Sequence, residues 1–290
     1  MTQSTSDDGR RPVESEISVL VPVADGVELR CLVRHAGDGV PMLLVHGLAS
    51  NARLWDEVAA IMAGAGHDCV AVDQRGHGRS TQTERGYDFA TLVADLAAVI
   101  DQTLRSPVAA VGQSWGGNVV LELAALRPDL VSGVALVDGG FLRLADGFAS
   151  WEVAAEALAP PSFAGVTFEE LETMAADRMH GFPSSAVAAQ LANFEATEDG
   201  TARPRLHRSH HMTILRNLWE HDPDLIGAAV RAPILVLAVD HDSTSKRQRV
   251  GAFAAATGAE VMWLNGHHDI HAQQPQVVAA ALLDFVRVVK

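Results

Sequence analysis

Four short apolar runs, PMLLVHG, HDCVAVDQRG, SPVAAVGQS and VSGVALVDGG, constrain this 290-residue chain more than any other feature. Each is too short for an ordinary helix and each stops at a polar or glycine-rich turn. Apolar runs of this length without alternation read as strands buried on both faces, the state of a parallel sheet. The stretches between them have helical spacing: ARLWDEVAAIMAGAG closes in glycines, TLVADLAAVIDQTL repeats apolar residues at helical intervals, and NVVLELAALRP stops at a proline. Repeated strand-helix alternation predicts an α/β fold built on a mostly parallel, doubly wound sheet.

Ahead of these units, the segment 13–33 alternates around a turn at Ala24-Asp25-Gly26, as a strand pair would. After them the pattern loosens. Between 141 and 230 come short amphipathic pieces punctuated by Pro160-Pro161, Pro183 and Pro204, with no clear strand. We read this stretch as an inserted helical cap. Strand-like sequence resumes in APILVLAVD, followed by a helix through RQRVGAFAAATG, a last strand AEVMWLNG and a closing helix PQVVAAALLDFVRVV. The expected division is a disordered leader over 1–14, core over 15–140, cap over 141–230 and core again over 231–290.

Composition narrows the class of protein. A net charge of −14 argues against a nucleic-acid partner, which requires a clustered basic surface. The start MTQSTSDDGRRPVESE has no apolar core of a signal peptide, and no run is long enough to span a bilayer. Cys31 and Cys69, the only cysteines, each sit inside an apolar strand-like stretch and read as buried thiols rather than a bridge. These features predict a soluble cytoplasmic protein with no membrane partner.

The run AVGQSWGGN holds Ser114 between Gly112 and Gly116, where a strand should turn sharply into a helix. Such a turn projects the serine outward and requires neighbours without Cβ atoms, because strand and helix backbones pass close by. It also puts the backbone N–H of Trp115 at a helix N-terminus, where free donors and the dipole favour a developing oxyanion. Upstream, a strand ends in His46-Gly47-Leu48, and the N–H of Leu48 is the candidate second donor.

Through LLVHGLASNARLW, VAVDQRGHGRS, GQSWGG and the C-terminal GHHDIHAQQP, the chain resembles the α/β-hydrolase fold family. The motifs cover most of the chain outside the expected cap. A serine at the elbow resembles the esterase and lipase branches; the epoxide hydrolase and haloalkane dehalogenase branches carry Asp there. The resemblance implies a catalytic triad in the order Ser, acid, His. It favours Asp242 as the acid, just past the strand APILVLAVD, with Asp138 at the end of VSGVALVDGG as the alternative and Asp240 a weaker third. One departure weakens Asp242: the glycine usual before the acid turn is Val239 here.

The segment GHHDIH offers three histidines. His267 and His271, or His268 and His271, could share a helix face as metal ligands, but no HExxH or cysteine cluster accompanies them, and no metal or cofactor is expected. The resemblance aligns His268 as the base, because Asp269 then falls on the family's acidic follower; a register anchored on Gly266 would select His267. His271 reads as a structural histidine at a helix entrance. The pattern of the Asp73–Ser80 turn shapes a loop, and His46 braces the oxyanion segment. In LHRSHHMTILRNLWEHD an amphipathic cap helix is expected, with His211 and Trp219 as candidate substrate contacts. Together these imply a serine hydrolase acting on a small carboxylic ester or lactone, with carbon–carbon bond hydrolysis or a non-catalytic ligand-binding role as alternatives.

Overall fold

The computed structural model describes residues 16–105, 107–240 and 242–289, so the expected leader, 1–14, lies outside the described residues. An eight-stranded sheet runs through the molecule. Its members are β1 (Ile17–Pro22), β2 (Glu28–Arg34), β3 (Met42–Val45), β4 (Cys69–Val72), β5 (Val108–Gln113), β6 (Val131–Val137), β9 (Ile234–Val239) and β10 (Glu260–Leu264). The spatial order is β1-β2-β4-β3-β5-β6-β9-β10. β1 and β2 form the antiparallel pair expected from the alternating segment, β2 meets β4 antiparallel, and every other pairing is parallel.

Parallel strands need crossovers, and the helices supply them: α1 (Asp56–Gly64), α2 (Phe89–Thr103) and α3 (Trp115–Leu126) before the midpoint of the chain. The pleat assigns alternate residues to opposite faces. In β3, Leu43 and Val45 pack with α2 and α3, while Met42 and Leu44 pack with α1. β5 repeats this, with Val108 and Ala110 on the first face and Ala109 and Val111 on the second. All these side chains are buried, at roughly 1.5–3 kcal/mol for each large aliphatic one. Two-sided burial is why these strands read as unbroken apolar runs.

Between β6 and β9 lie α4 (Leu144–Gly147), α5 (Trp151–Ala157), α6 (Phe168–Arg178), α7 (Ser184–Leu191), α8 (Arg208–Glu220) and α9 (Pro223–Ala229). The expectation of no strand here is corrected: β7 (Phe194–Ala196) and β8 (Ala202–Pro204) form an antiparallel hairpin. Asp199 holds its turn by accepting from Thr197 and Thr201, Gly200 takes φ 81°, and Glu195 pairs across it with Arg203. Three-residue strands are too short to display a period of two. α9 packs on α3 and α10 (Thr244–Thr257), so the end of this segment joins the core layer. The chain closes with α11 (Ile270–Gln273) and α12 (Pro275–Phe285), the latter buried against α1.

Cys31 and Cys69 lie on adjacent strands but out of register, and both are free. Burial pushes each thiol up to about 12. Among the described residues no helix is long and apolar enough to cross a membrane.

Candidate active site

In open α/β sheets, ligands bind beyond the carboxyl ends of the strands. There, four strand ends converge: β3 runs into His46-Gly47-Leu48, β5 into Ser114, β6 into Asp138, and β10 into the loop that carries His268.

Ser114 adopts φ 51°, ψ −123° immediately before α3, a conformation that costs a non-glycine residue about 1–3 kcal/mol and is kept only where surrounding structure dictates it. Both flanking glycines are dictated by close backbone approach. A Cβ on Gly112 would collide with the Gly116 carbonyl, and one on Gly116 with the carbonyls of Val45 and His46. The N–H of Trp115, at the first position of α3, has no acceptor within the helix. That of Leu48 has no protein acceptor either, among the described residues.

The loop carrying Leu48 is braced by two buried imidazoles. His46 Nδ1–H donates to Gly47 O at 2.7 Å while its Nε2 accepts from Gln74 N at 3.0 Å. His77 Nε2 accepts from Ala49 N at 3.3 Å. Burial lowers the pKa of both, which keeps them neutral. Asp73, also buried, accepts from Ala52 N, Arg79 N and Arg30 Nε, so the Asp73–Ser80 turn organises the neighbouring loops.

His268 Nδ1 lies 2.7 Å from Asp138 Oδ2. An ionised carboxylate only accepts, so Nδ1 carries the proton and Nε2 is the nitrogen with a free lone pair. Nε2 has no protein hydrogen-bond partner among the described residues, and none joins it to Ser114 Oγ, although both residues line one cavity. Asp138 Oδ1 accepts from Val239 N at 2.9 Å and from Lys246 Nζ at 2.6 Å. Desolvation pushes the Asp138 carboxyl up, but His268, Lys246 and Val239 N–H outweigh it and hold it below its ordinary value. For His268 desolvation acts downward, while the Asp138 hydrogen bond and the charges of Asp269 and Asp138 leave its pKa raised.

The carboxylate that this geometry sets against His268 is Asp138 and not the favoured Asp242. Asp242 is exposed, its N–H tied to Asp240 Oδ1, and Asp240 is in turn paired with Arg247. Neither touches His268. Asp138 reaches it because β6, β9 and β10 are consecutive in the sheet and a positive φ of 45° redirects its side chain from the strand end. A sequence signal for this exists in the DGG turn. Gly139 abuts Ser114 so closely that a Cβ would collide with Ser114 Cα, which marks Asp138 as a neighbour of the serine.

The three clustered histidines have three different surroundings. The His267 ring stands edge-on to Phe182 and its Nδ1 accepts from Asp269 N at 3.1 Å. His271 is fully buried against Trp55, with ring centroids 4.3 Å apart, and both its nitrogens lack protein partners. Burial pushes its pKa down to about 4. Among the described residues no group of three or more His, Cys, Asp or Glu side chains is arranged to hold a metal ion.

The cavity, of about 380 Å³, is floored by Ser114, Leu48 and His268 and roofed by residues from the segment between β6 and β9. Of the two candidate substrate contacts, His211 lines it and Trp219 does not, because Trp219 packs edge-on against Trp151 of α5. Sequence reasoning missed Gln113, whose Nε2 donates to His268 O at 3.3 Å, and the roof arginines Arg178, Arg205 and Arg208. Nothing local distinguishes those arginines from surface ones.

A family model described as the alpha/beta hydrolase fold matches residues 40–275. A 2-(acetamidomethylene)succinate hydrolase from Mesorhizobium japonicum is 27% identical over 265 residues, covering 88% of this chain and 90% of that protein. An esterase from Mycobacterium tuberculosis is 29% identical over 279 residues, with 88% of this chain and 84% of that protein covered. Among solved structures, that of E-2-(acetamidomethylene)succinate hydrolase superposes with a TM-score of 0.74 at 24% identity, over 94% of this chain and 100% of the other. The chain is a hydrolase and belongs to the α/β-hydrolase fold family.

Proposed function

We propose that the protein is a serine hydrolase that cleaves a small carboxylic ester or lactone through an acyl-enzyme, with Ser114, His268 and Asp138 as its triad. The observation that carries this reading is the 2.7 Å contact between His268 Nδ1 and Asp138, beside a cavity that Ser114 enters on a strained turn. We read residues 141–230 as a cap over that cavity.

In the proposed cycle Ser114 Oγ attacks the carbonyl carbon as His268 Nε2 takes the hydroxyl proton. Charge that develops on the carbonyl oxygen is met by the N–H groups of Leu48 and Trp115. The intermediate collapses, the bond to the alkoxy oxygen breaks, and His268 returns its proton to the leaving alcohol. Water then attacks the acyl-enzyme with His268 again as base, which releases the carboxylic acid and restores Ser114. Asp138 stays ionised throughout, orients the imidazole and stabilises it when protonated.

Ser114→Ala should abolish turnover of a 4-nitrophenyl ester and covalent labelling by a fluorophosphonate, with the circular dichroism spectrum unchanged. Full turnover by that variant would refute the proposal. Turnover of a vinylogous diketone but of no ester would select carbon–carbon cleavage instead.

A further inference from the structure

The roof of the cavity runs against the charge of the molecule. The chain carries 36 acidic and 22 basic side chains, yet the cavity lining includes Arg178, Arg205 and Arg208 against one carboxylate, Asp269. The three arginines come from three places, the last turn of α6, the loop after β8 and the first turn of α8. Only tertiary packing brings them together.

Arg178 and Arg208, both exposed, have no carboxylate within salt-bridge distance among the described residues, a state they share with Arg79, Arg85 and Arg231, which lie outside the cavity. Arg205 is anchored by Glu195 at 3.4 Å and by the Ala192 carbonyl at 3.2 Å. Arg208 donates from Nη1 to the Pro160 carbonyl at 2.7 Å, a contact that fixes the guanidinium but leaves its charge uncompensated. It also occupies the first position of a 13-residue helix whose first turn has no acidic residue. A cation there opposes the helix dipole, at about 0.3–1 kcal/mol for an exposed side chain, a cost that a bound anion would reverse. Leu54, Leu158, Phe163 and Leu206 supply apolar lining beside the arginines.

We propose, resting on the hydrolase reading above, that the substrate carries a carboxylate at the end remote from the scissile carbonyl and that Arg178 and Arg208, with Arg205, bind it. A planar guanidinium matches a carboxylate in a two-point hydrogen bond, and the apolar lining accommodates the short chain that joins the two ends. Neutral long-chain esters do not satisfy the roof.

The test compares mono(4-nitrophenyl) adipate with 4-nitrophenyl hexanoate, two esters of equal chain length that differ in the terminal charge. The wild type should favour the adipate by tenfold or more in kcat/KM. Arg178→Gln and Arg208→Gln should each raise the KM for the adipate and bring the ratio toward one, while Arg287→Gln, beyond α12, leaves it unchanged. A ratio needs no correction for folded fraction. Equal or reversed preference in the wild type, or unchanged ratios in both cavity variants, would overturn the proposal. Glutarate should inhibit competitively and more strongly than inorganic phosphate; the opposite order would overturn the choice of carboxylate. If Ser114→Ala still turns over both esters, the reading of Ser114 as nucleophile fails; if the wild type hydrolyses the hexanoate without favouring the adipate, only the charge proposal fails.

Discussion

Asp138→Asn is an almost isosteric change whose consequence can be worked out from two hydrogen bonds. At the Oδ1 position the side chain accepts from Val239 N–H and Lys246 Nζ, both donors, so the amide oxygen of Asn must sit there. Its NH2 group is thereby turned to the Oδ2 position, toward His268 Nδ1. A donor at that place forces Nδ1 to accept and moves the imidazole proton to Nε2, which can then no longer take a proton from Ser114. The expected loss in kcat is about 10³–10⁴, or about 4–5.5 kcal/mol of transition-state stabilisation. Asp242→Asn, at an exposed turn, should stay within about twofold. Steady-state turnover of an activated ester reads both variants, with circular dichroism to normalise for folded protein. Asp138→Asn within tenfold of wild type, together with a thousandfold loss in Asp242→Asn, would refute the argument.

Two further outcomes follow from the titrating groups. Because the neutral form of His268 is the base, kcat/KM should rise with pH through a midpoint above 6.5, the ordinary imidazole value, and Lys246→Met should move that midpoint upward, since the Lys246 charge opposes protonation. A pH profile whose midpoint falls in that variant would contradict the assignment. His271 is buried neutral with a pKa of about 4 against 6.5 when unfolded, so the unfolded chain binds more protons across that window and stability declines as pH falls through it. The decline amounts to about 3 kcal/mol at 1.36 kcal/mol per unit, and His271→Phe should lower the pH midpoint of acid unfolding, followed by tryptophan fluorescence. An unchanged midpoint would show that other groups govern acid lability.

The elbow and the sheet were legible for the same reason: each leaves its mark within a short run of sequence. Gly112 is required by the backbone of Gly116 and Gly117 within one strand-turn-helix unit, although Gly116 answers to the Val45 and His46 carbonyls of the neighbouring strand, and unbroken apolar runs follow directly from burial on both faces of β3, β5 and β9. The hairpin of β7 and β8 escaped because three residues cannot display a period, although Asp199-Gly200 marks its turn. Trp219 was a reasonable candidate on an amphipathic helix, but which face of α8 looks into a cavity is decided by its neighbours, and Trp151 occupies that flank.

Sequence alone determined the order of the core strands and helices, the turn that carries Ser114 and the chemistry a serine at such a turn can support, because these leave patterns within a few consecutive residues. Tertiary structure decided which carboxylate meets His268. Asp138 and His268 are 130 residues apart, and they meet only because β6, β9 and β10 lie side by side with Lys246 and Val239 N–H holding the other carboxylate oxygen. The same holds for the arginines of the roof, whose charges are brought together by packing between elements that share no local pattern. Distance along the chain, which no periodicity bridges, separates what could be read from what had to be seen.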